Sequence, residues 1–210
     1  YPVISRRSGG LSIGINLNPD KACNFDCIYC QVDRSIPPAV RKVELDLLAE
    51  ELRAMVEWAT TGRLFAEPPF ERVPPAMRQV RDLAFSGDGE PTASPQFPQA
   101  VRICADVRRD AGLESTRLVL ITDAAYLRRE PVWQSLSVLD AHHGEIWAKL
   151  DAGTEDYYRL VNRPNVPLSA IVENIQAAAR CYRVVIQSLW MRVHDRPPPP
   201  EEIEAFIQRL

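Results

Sequence analysis

Three cysteines, Cys23, Cys27 and Cys30, lie within eight residues near the start of the chain and have the spacing C-x3-C-x2-C. Cysteine thiolates ligate zinc and iron–sulfur clusters. A [4Fe-4S] cluster held by three cysteines keeps one iron without a protein ligand. A substrate or a cofactor can bind at that open iron, so this spacing indicates chemistry beyond simple electron transfer.

Other uses of these cysteines remain open but fit the sequence less well. A structural zinc site usually has four Cys or His ligands, and the histidines, His142, His143 and His194, lie far along the chain. A disulfide would leave one of the three cysteines unpaired. Cysteines buried in a core are common, but the polar neighbours Asn24 and Asp26 do not suit a core face.

The composition is that of a single domain with a sizeable core, because the chain has 210 residues of which 46% are hydrophobic. A net charge of -3 gives no support for broad binding to a phosphate backbone. No apolar run approaches the length of a membrane span, and the clustered cysteines favour a reducing, cytoplasmic compartment. We expect Cys104 and Cys181 to be core residues. The chain begins with Tyr1 rather than Met, which is consistent with a missing native N-terminus.

Hydrophobic periodicity predicts strands that alternate with helices. The predicted strands are 11–17, 80–85, 118–121, 145–150 and 184–190, and residues 1–10 are expected to be irregular. The predicted helices are 40–60, 95–111, 124–138 (broken at Pro131), a short helix capped by Thr154, 168–180 and 201–210. Alternation of this kind indicates an α/β fold with parallel strands and right-handed crossovers. A proline-rich break at 197–200 precedes the last helix.

A second motif, Ser86-Gly87-Asp88-Gly89-Glu90-Pro91, follows the second predicted strand. Together with the cysteine motif and the aromatic Tyr29 before its last cysteine, it resembles the radical S-adenosylmethionine (radical SAM) superfamily. The resemblance covers about residues 10–190, and Asp88 departs from the Gly-Gly-Glu-Pro pattern of that family. It implies a partial (β/α) barrel of six parallel strands in one domain, 1–210, with a cluster loop at 18–34. The last strand is not predicted here, which fits a truncated or minimal barrel. A doubly wound open sheet is the alternative, although its glycine-rich fingerprint is absent.

The resemblance also implies an activity and a set of contacts. The cysteines would hold a [4Fe-4S] cluster whose open iron binds S-adenosylmethionine, and one electron would cleave this cofactor to a 5′-deoxyadenosyl radical that abstracts hydrogen from an unidentified substrate. Tyr29 would lie near the adenine of this cofactor, and the Glu90 carboxylate would accept a hydrogen bond from its ammonium group. Further residues expected to contact the cofactor or substrate are Ser86, Gly87, Asp88, Gly89, Thr122, Asp123, Lys149, Asp151 and Gln187. No catalytic residue is assigned.

Longer segments, Gly-Leu-Ser-Ile-Gly-Ile-Asn-Leu and Lys-Leu-Asp-Ala-Gly among them, are similar to a branch of uncharacterised radical SAM proteins. That branch is distantly similar to the wyosine-type tRNA-modifying synthases. The alternatives are a glycyl-radical-activating enzyme and a non-catalytic iron–sulfur or zinc binding module. The expected partners are a substrate, which is a small molecule, an RNA or a protein, and an electron donor such as flavodoxin or ferredoxin.

Overall fold

The computed structural model describes all 210 residues and contains one sheet of six strands, in the spatial order in which they occur along the chain. The strands are β1 (Pro2–Ser5), β2 (Gly10–Ile15), β3 (Val80–Phe85), β4 (Arg117–Thr122), β5 (Glu145–Lys149) and β6 (Val184–Gln187). The pairs from β2 to β6 are all parallel. The sheet does not close, because β1 and β6 are its edges. This confirms the predicted α/β class and the partial barrel.

The first strand lies where an irregular segment was predicted. β1 pairs antiparallel with β2, with Pro2 opposite Ile13 and Ser5 opposite Gly10. A strand of four residues that begins with proline carries little local signal, and it forms because the edge of β2 offers it hydrogen bonds. The additional strand is antiparallel, so the parallel part of the sheet has the five strands expected from the sequence.

The helices are α1 (Leu45–Thr60), α2 (Phe97–Asp110), α3 (Glu130–Ala141), α4 (Glu155–Asn162), α5 (Leu168–Ala179) and α6 (Pro200–Arg209). Two predicted boundaries were wrong. Residues 40–44 precede α1, and residues 124–129 are not helical, so α3 begins just before Pro131 instead of being broken by it. Proline is favoured in the first turn of a helix because its missing N–H would have no partner there. The prediction that Thr154 caps a short helix is confirmed, since its hydroxyl accepts the N–H of Tyr157.

The two faces of the sheet have different neighbours because successive side chains on a strand alternate. On the outer face, residues such as Leu11, Leu83 and Leu118 join a core of 36 buried residues packed against the helices. On the inner face, Ala84, Val119 and Trp147 form a small separate cluster. Helices therefore cover only one face, and the inner face is the concave side of the partial barrel.

The two remaining cysteines differ in environment. Cys104 is buried in α2, as predicted, but Cys181 is exposed just after α5, so the prediction that it is a core residue was wrong.

β6 also ends at Gln187, earlier than the predicted 190. No helix in the structure combines the length and the apolar character that crossing a bilayer requires.

Candidate functional site

The residues singled out from the sequence follow the carboxyl ends of successive parallel strands. The cysteine loop follows β2, the glycine-rich loop follows β3, Thr122 ends β4, Asp151 follows β5 and Gln187 ends β6. Parallel strands direct their carboxyl ends to one rim of the sheet. The topology therefore gathers these residues at one end of the partial barrel, where barrel proteins place their chemistry.

The cysteine loop is held by the C-terminal end of α4. The backbone N–H of Asp26 donates to the carbonyl of Asn162 at 3.0 Å, and that of Ile28 donates to the carbonyl of Val161 at 2.9 Å. The last carbonyls of a helix have no partner within the helix, so they are free to accept these bonds. Phe25 is buried in the same contact and meets Tyr158 edge to face, with ring centroids 5.5 Å apart.

The three sulfurs differ in exposure and in hydrogen bonding. Cys23 and Cys30 are exposed and Cys27 is half-buried, and none forms a disulfide. The guanidinium of Arg34 donates to Sγ of Cys30 at 3.2 Å, and the side-chain amide of Asn162 donates to Sγ of Cys27 at 3.4 Å. Although Cys23 as a residue is exposed, the surrounding loop shields its sulfur from part of the water and raises its pKa to about 11; burial also raises the pKa of Cys27. The Cys23 and Cys27 thiols are therefore protonated at neutral pH unless a bound metal withdraws the protons.

The cysteine residues fit an iron–sulfur cluster as a ligand set. They are three free thiols on one short loop, and two of the sulfurs accept N–H···S hydrogen bonds of the kind that tune such clusters. No three His, Cys, Asp or Glu side chains converge on the position of a single ion. Cysteines that each ligate a different iron of one cluster do not have to converge in that way.

The glycine-rich loop packs directly against the cysteine loop. A Cβ atom at Gly89 would overlap the carbonyl oxygen of Ala22, which accepts the N–H of Glu90 at 3.0 Å. Gly87 has a φ of +152° and lies against the side chain of Asn16. Both glycines are thus required by close chain contacts. The carboxylate of Asp88 accepts a hydrogen bond from Asn16 at 2.8 Å.

The Glu90 carboxylate faces inward between two loops, whereas the sequence had placed it toward the cofactor. The side chain is buried and accepts hydrogen bonds from the Thr92 N–H at 3.0 Å, the Thr122 hydroxyl at 2.7 Å and the Asp123 N–H at 2.7 Å. These bonds tie the loop after β3 to the loop after β4. Glu90 and Thr122 therefore position the two loops. The backbone of the glycine-rich loop, rather than the Glu90 side chain, is available to contact a ligand.

Glu90 and Asp123 form a buried acidic pair. Burial raises the pKa of Glu90. Burial, and then the nearby charge of Glu90, raise the pKa of Asp123 well above its ordinary value. The Asp123 Oδ1 atom accepts the N–H of Ala125 at 2.9 Å, whereas Oδ2 is buried without a hydrogen-bond partner. This pair retains a proton at a pH at which exposed carboxyls have lost theirs.

Asp151 joins the strand end to the cysteine loop. Its Oδ1 atom lies 3.1 Å from Nζ of Lys149 and accepts the N–H of Leu189 at 2.8 Å. Its Oδ2 atom accepts the Tyr29 hydroxyl and the Asn162 amide, the latter at 2.8 Å. Both oxygens are occupied, so the carboxylate is a positioning group. Its partner Lys149, whose ammonium also lies 5.3 Å from the centroid of the Tyr29 ring, is the more exposed of the two side chains.

Asn162 and Arg34 are functional candidates that the sequence reasoning missed. Asn162 is the last residue of α4, 132 positions beyond Cys30, and no spacing rule connects it with the cysteines. Arg34 lies inside the predicted cluster loop, four residues after Cys30. This closeness in sequence was the one signal that could have identified it. The predicted contacts Ser86 and Gln187 are half-buried at the ends of β3 and β6, and the Ser86 hydroxyl lies 2.9 Å from the hydroxyl of Tyr1.

The fold and the cysteine loop together define a class of α/β partial-barrel proteins that carry a cysteine site at the carboxyl ends of their strands. A family model described as the Radical SAM superfamily matches residues 17–210. The chain belongs to this superfamily, whose members are enzymes that use an iron–sulfur centre and S-adenosylmethionine.

One relative and two solved structures of similar fold show how far this similarity extends. The UPF0026 protein MJ1312 of Methanocaldococcus jannaschii is 30% identical over 184 residues, which are 87% of this chain and 50% of that protein. The chain thus spans half the length of that relative. The structure of TYW1 with a lysine-pyruvate adduct bound has a TM-score of 0.58 and 16% identity, and the match covers 96% of this chain and 60% of TYW1. The structure of Streptococcus suis SuiB bound to S-adenosylmethionine has a TM-score of 0.62 and 11% identity, over 97% of this chain and 39% of SuiB.

Proposed function

We propose that this protein cleaves S-adenosylmethionine reductively and uses the resulting radical to abstract hydrogen from a substrate. A [4Fe-4S] cluster, when bound, would supply the one electron that breaks the sulfonium C–S bond to give methionine and a 5′-deoxyadenosyl radical. The observation that carries the proposal is the set of three free cysteines at the rim of the barrel, packed against the glycine-rich loop, in a chain of this superfamily.

The side chains divide into ligands, contacts and positioning groups. Cys23, Cys27 and Cys30 are the proposed cluster ligands. The proposed contacts to S-adenosylmethionine are Tyr29, the backbone of 86–89, the Asp88 carboxylate, Lys149 and Gln187. These groups lie at the rim and retain exposed surface.

The buried polar residues fix the geometry of those contacts. Asp151 holds Tyr29 and Asn162, and Asn162 in turn donates to the sulfur of Cys27. Outer partners of this kind orient metal ligands, and their loss typically weakens binding or activity by one to two orders of magnitude. Phe25, packed against Tyr158, excludes water from the inner side of the cysteine loop.

Electrons would arrive from a small redox protein such as flavodoxin or ferredoxin. Cys23 and Cys30 are exposed on the outer side of the loop, so a docked donor could approach the cluster there.

The test is anaerobic reconstitution with iron and sulfide, followed by addition of S-adenosylmethionine and dithionite. We expect about four irons per chain and release of 5′-deoxyadenosine. Cys27→Ala should lose both the iron and the product, whereas the matched variant Cys181→Ala, which removes an exposed cysteine outside the loop, should retain both. Protein that holds an intact cluster but releases no 5′-deoxyadenosine contradicts the proposal.

A further inference from the structure

The inner face of the partial barrel borders an open cavity of about 550 Å³ that extends from the rim toward the opposite end of the strands. Its lining includes Asp82 and Ala84 on β3 and Ser86 just after that strand. Ser86 directly precedes the glycine-rich loop, and Asp82 lies four residues below it, about 13 Å along a strand. A molecule in this cavity would reach from the Asp82 end, here called the floor, to the proposed cofactor contacts at the rim. The volume is that of an ordinary small-molecule site.

The floor contains a buried carboxylate oxygen without a hydrogen-bond partner. Asp82 is 1% exposed, and its Oδ1 atom accepts the hydroxyl of Ser12. Its Oδ2 atom has no hydrogen bond, because the nearest cation, Nη2 of Arg117, lies 3.8 Å away. Arg117 instead donates to Glu145 at 3.1 Å. Buried polar atoms are nearly always paired, so Oδ2 is suited to a donor from a ligand.

Two guanidinium groups beside the same cavity have no anionic partner. Arg6 and Arg7 lie in the turn between β1 and β2, at the floor end, and neither forms an ion pair or donates a side-chain hydrogen bond. Arg7 reaches across the inner face, where its guanidinium lies 5.8 Å from the centroid of the Trp147 ring. Unpaired guanidinium groups are well suited to a carboxylate because they can bind it in a bidentate manner.

We infer that the floor of this cavity binds the zwitterionic head group of a substrate of the α-amino acid type. Its ammonium group donates to Oδ2 of Asp82, and its carboxylate pairs with Arg6 and Arg7. Its side chain extends over the face formed by Ala84 and Trp147 toward Ser86, whose hydroxyl lies against that of Tyr1 at the rim. The inference rests on the proposed function, since it assigns the substrate class of the same site.

The binding test uses three probes that share one side chain: L-phenylalanine, phenethylamine without the carboxylate, and 3-phenylpropionate without the amine. Isothermal titration calorimetry should show saturable binding of phenylalanine and at least tenfold weaker binding of both analogues. In Asp82→Asn, phenylalanine and 3-phenylpropionate should bind equally. In the double variant Arg6→Gln/Arg7→Gln, phenylalanine and phenethylamine should bind equally.

The matched control is the double variant Arg41→Gln/Arg102→Gln, which removes two exposed arginines outside the cavity and should bind all three probes as the unmodified protein does. Circular dichroism establishes that each variant is folded. Absence of phenylalanine binding, equal binding of the three probes, or unchanged selectivity in both floor variants overturns the inference. The titration needs no cluster, so its failure in protein that still releases 5′-deoxyadenosine removes the substrate class and leaves the proposed function intact.

Discussion

Arg34 places a positive charge against one of the proposed cluster ligands, because its guanidinium donates to Sγ of Cys30. Reduction adds a negative charge to a cluster, and a nearby cation stabilises that reduced form. Arg34→Gln should therefore lower the midpoint potential, by about 59 mV if the one-electron equilibrium changes tenfold. Arg34→Lys keeps the charge, so its midpoint potential should lie between those of the unmodified protein and Arg34→Gln. The measurement is a redox titration followed by electron paramagnetic resonance.

The control for this shift is Arg102→Gln, which makes the same chemical change on an exposed face of α2. It should leave the potential unchanged. An Arg34→Gln protein with a complete cluster and the potential of the unmodified protein would show that the charge is not sensed by the cluster.

Asp151 should matter for stability more than any surface carboxylate. Its side chain is fully buried, and Asp151→Ala would leave the Lys149 ammonium and the Asn162 amide without their acceptor. Breaking a buried ion pair from one side typically costs about 3–5 kcal/mol. Asp106→Ala, which breaks the exposed pair with Arg109, should cost at most about 1 kcal/mol. Urea unfolding of the cluster-free proteins measures both values, and similar values for the two variants would contradict the assigned role.

At the scale of elements, the contact between the cysteine loop and the glycine-rich loop depends on one missing side chain. Gly89→Ala places a methyl group on the Ala22 carbonyl and must push the loops apart. We expect the variant to fold but to bind substantially less iron after reconstitution. Gly62→Ala is the matched control, because Gly62 has a φ of +84° but no atom near its missing Cβ, so only backbone strain is added. Equal iron content in the two variants would argue against the loop contact.

One attachment of helix α6 to the barrel is Glu202, which is 1% exposed. Its carboxylate accepts the N–H of Gly153 and, at 2.9 Å, the N–H of Thr154, at the start of α4. Hydrogen bonds to charged groups contribute about 1.5–3 kcal/mol, so Glu202→Ala should destabilise by that amount. Amide exchange over 200–209 should accelerate first. The control is Glu201→Ala at the exposed neighbouring position, which should change neither the free energy of unfolding nor the rate of amide exchange. If the amides of α6 remain protected from exchange in Glu202→Ala, the helix is docked through Phe206 instead.

The sequence was sufficient for elements whose pattern is local. β3 was predicted at its observed bounds, and the parallel order followed from alternation. β1 was missed because its stability comes from pairing with β2, which no pattern in Pro2–Ser5 reports. The inward orientation of Glu90 was missed for a related reason. Glu90 is oriented by hydrogen bonds from Thr122 and Asp123, which belong to the end of a different strand and the loop after it. A motif within one segment of sequence contains no information about such a contact.

At the scale of the whole molecule, the sheet leaves a strand edge open. β6 is paired on one side only, and its Val185 is exposed. The chain also spans half the length of its Methanocaldococcus relative. The cysteine loop and the inner-face cavity both lie within these 210 residues.

The buried pair of Glu90 and Asp123 links the stability of the whole fold to pH. Both pKa values are raised by burial, so the folded protein holds protons that the unfolded chain releases above about pH 4. Because the folded state then binds more protons, the free energy of unfolding falls as the pH rises from about 4 toward the folded pKa values. The contribution of one such proton is at most about 1.4 kcal/mol per pH unit.

Asp123→Asn removes one member of the pair and should flatten this dependence in the cluster-free protein. The measurement is urea unfolding between pH 4 and pH 7, compared with Asp106→Asn, which removes an exposed carboxylate and should preserve the slope. The amide also cannot repel Glu90, so the variant should gain stability at the upper end of this range relative to the unmodified protein. Parallel curves for all three proteins would mean that the pair titrates alike in the folded and unfolded states, and that its burial is compensated by the hydrogen bonds from Thr92, Thr122 and the Asp123 backbone.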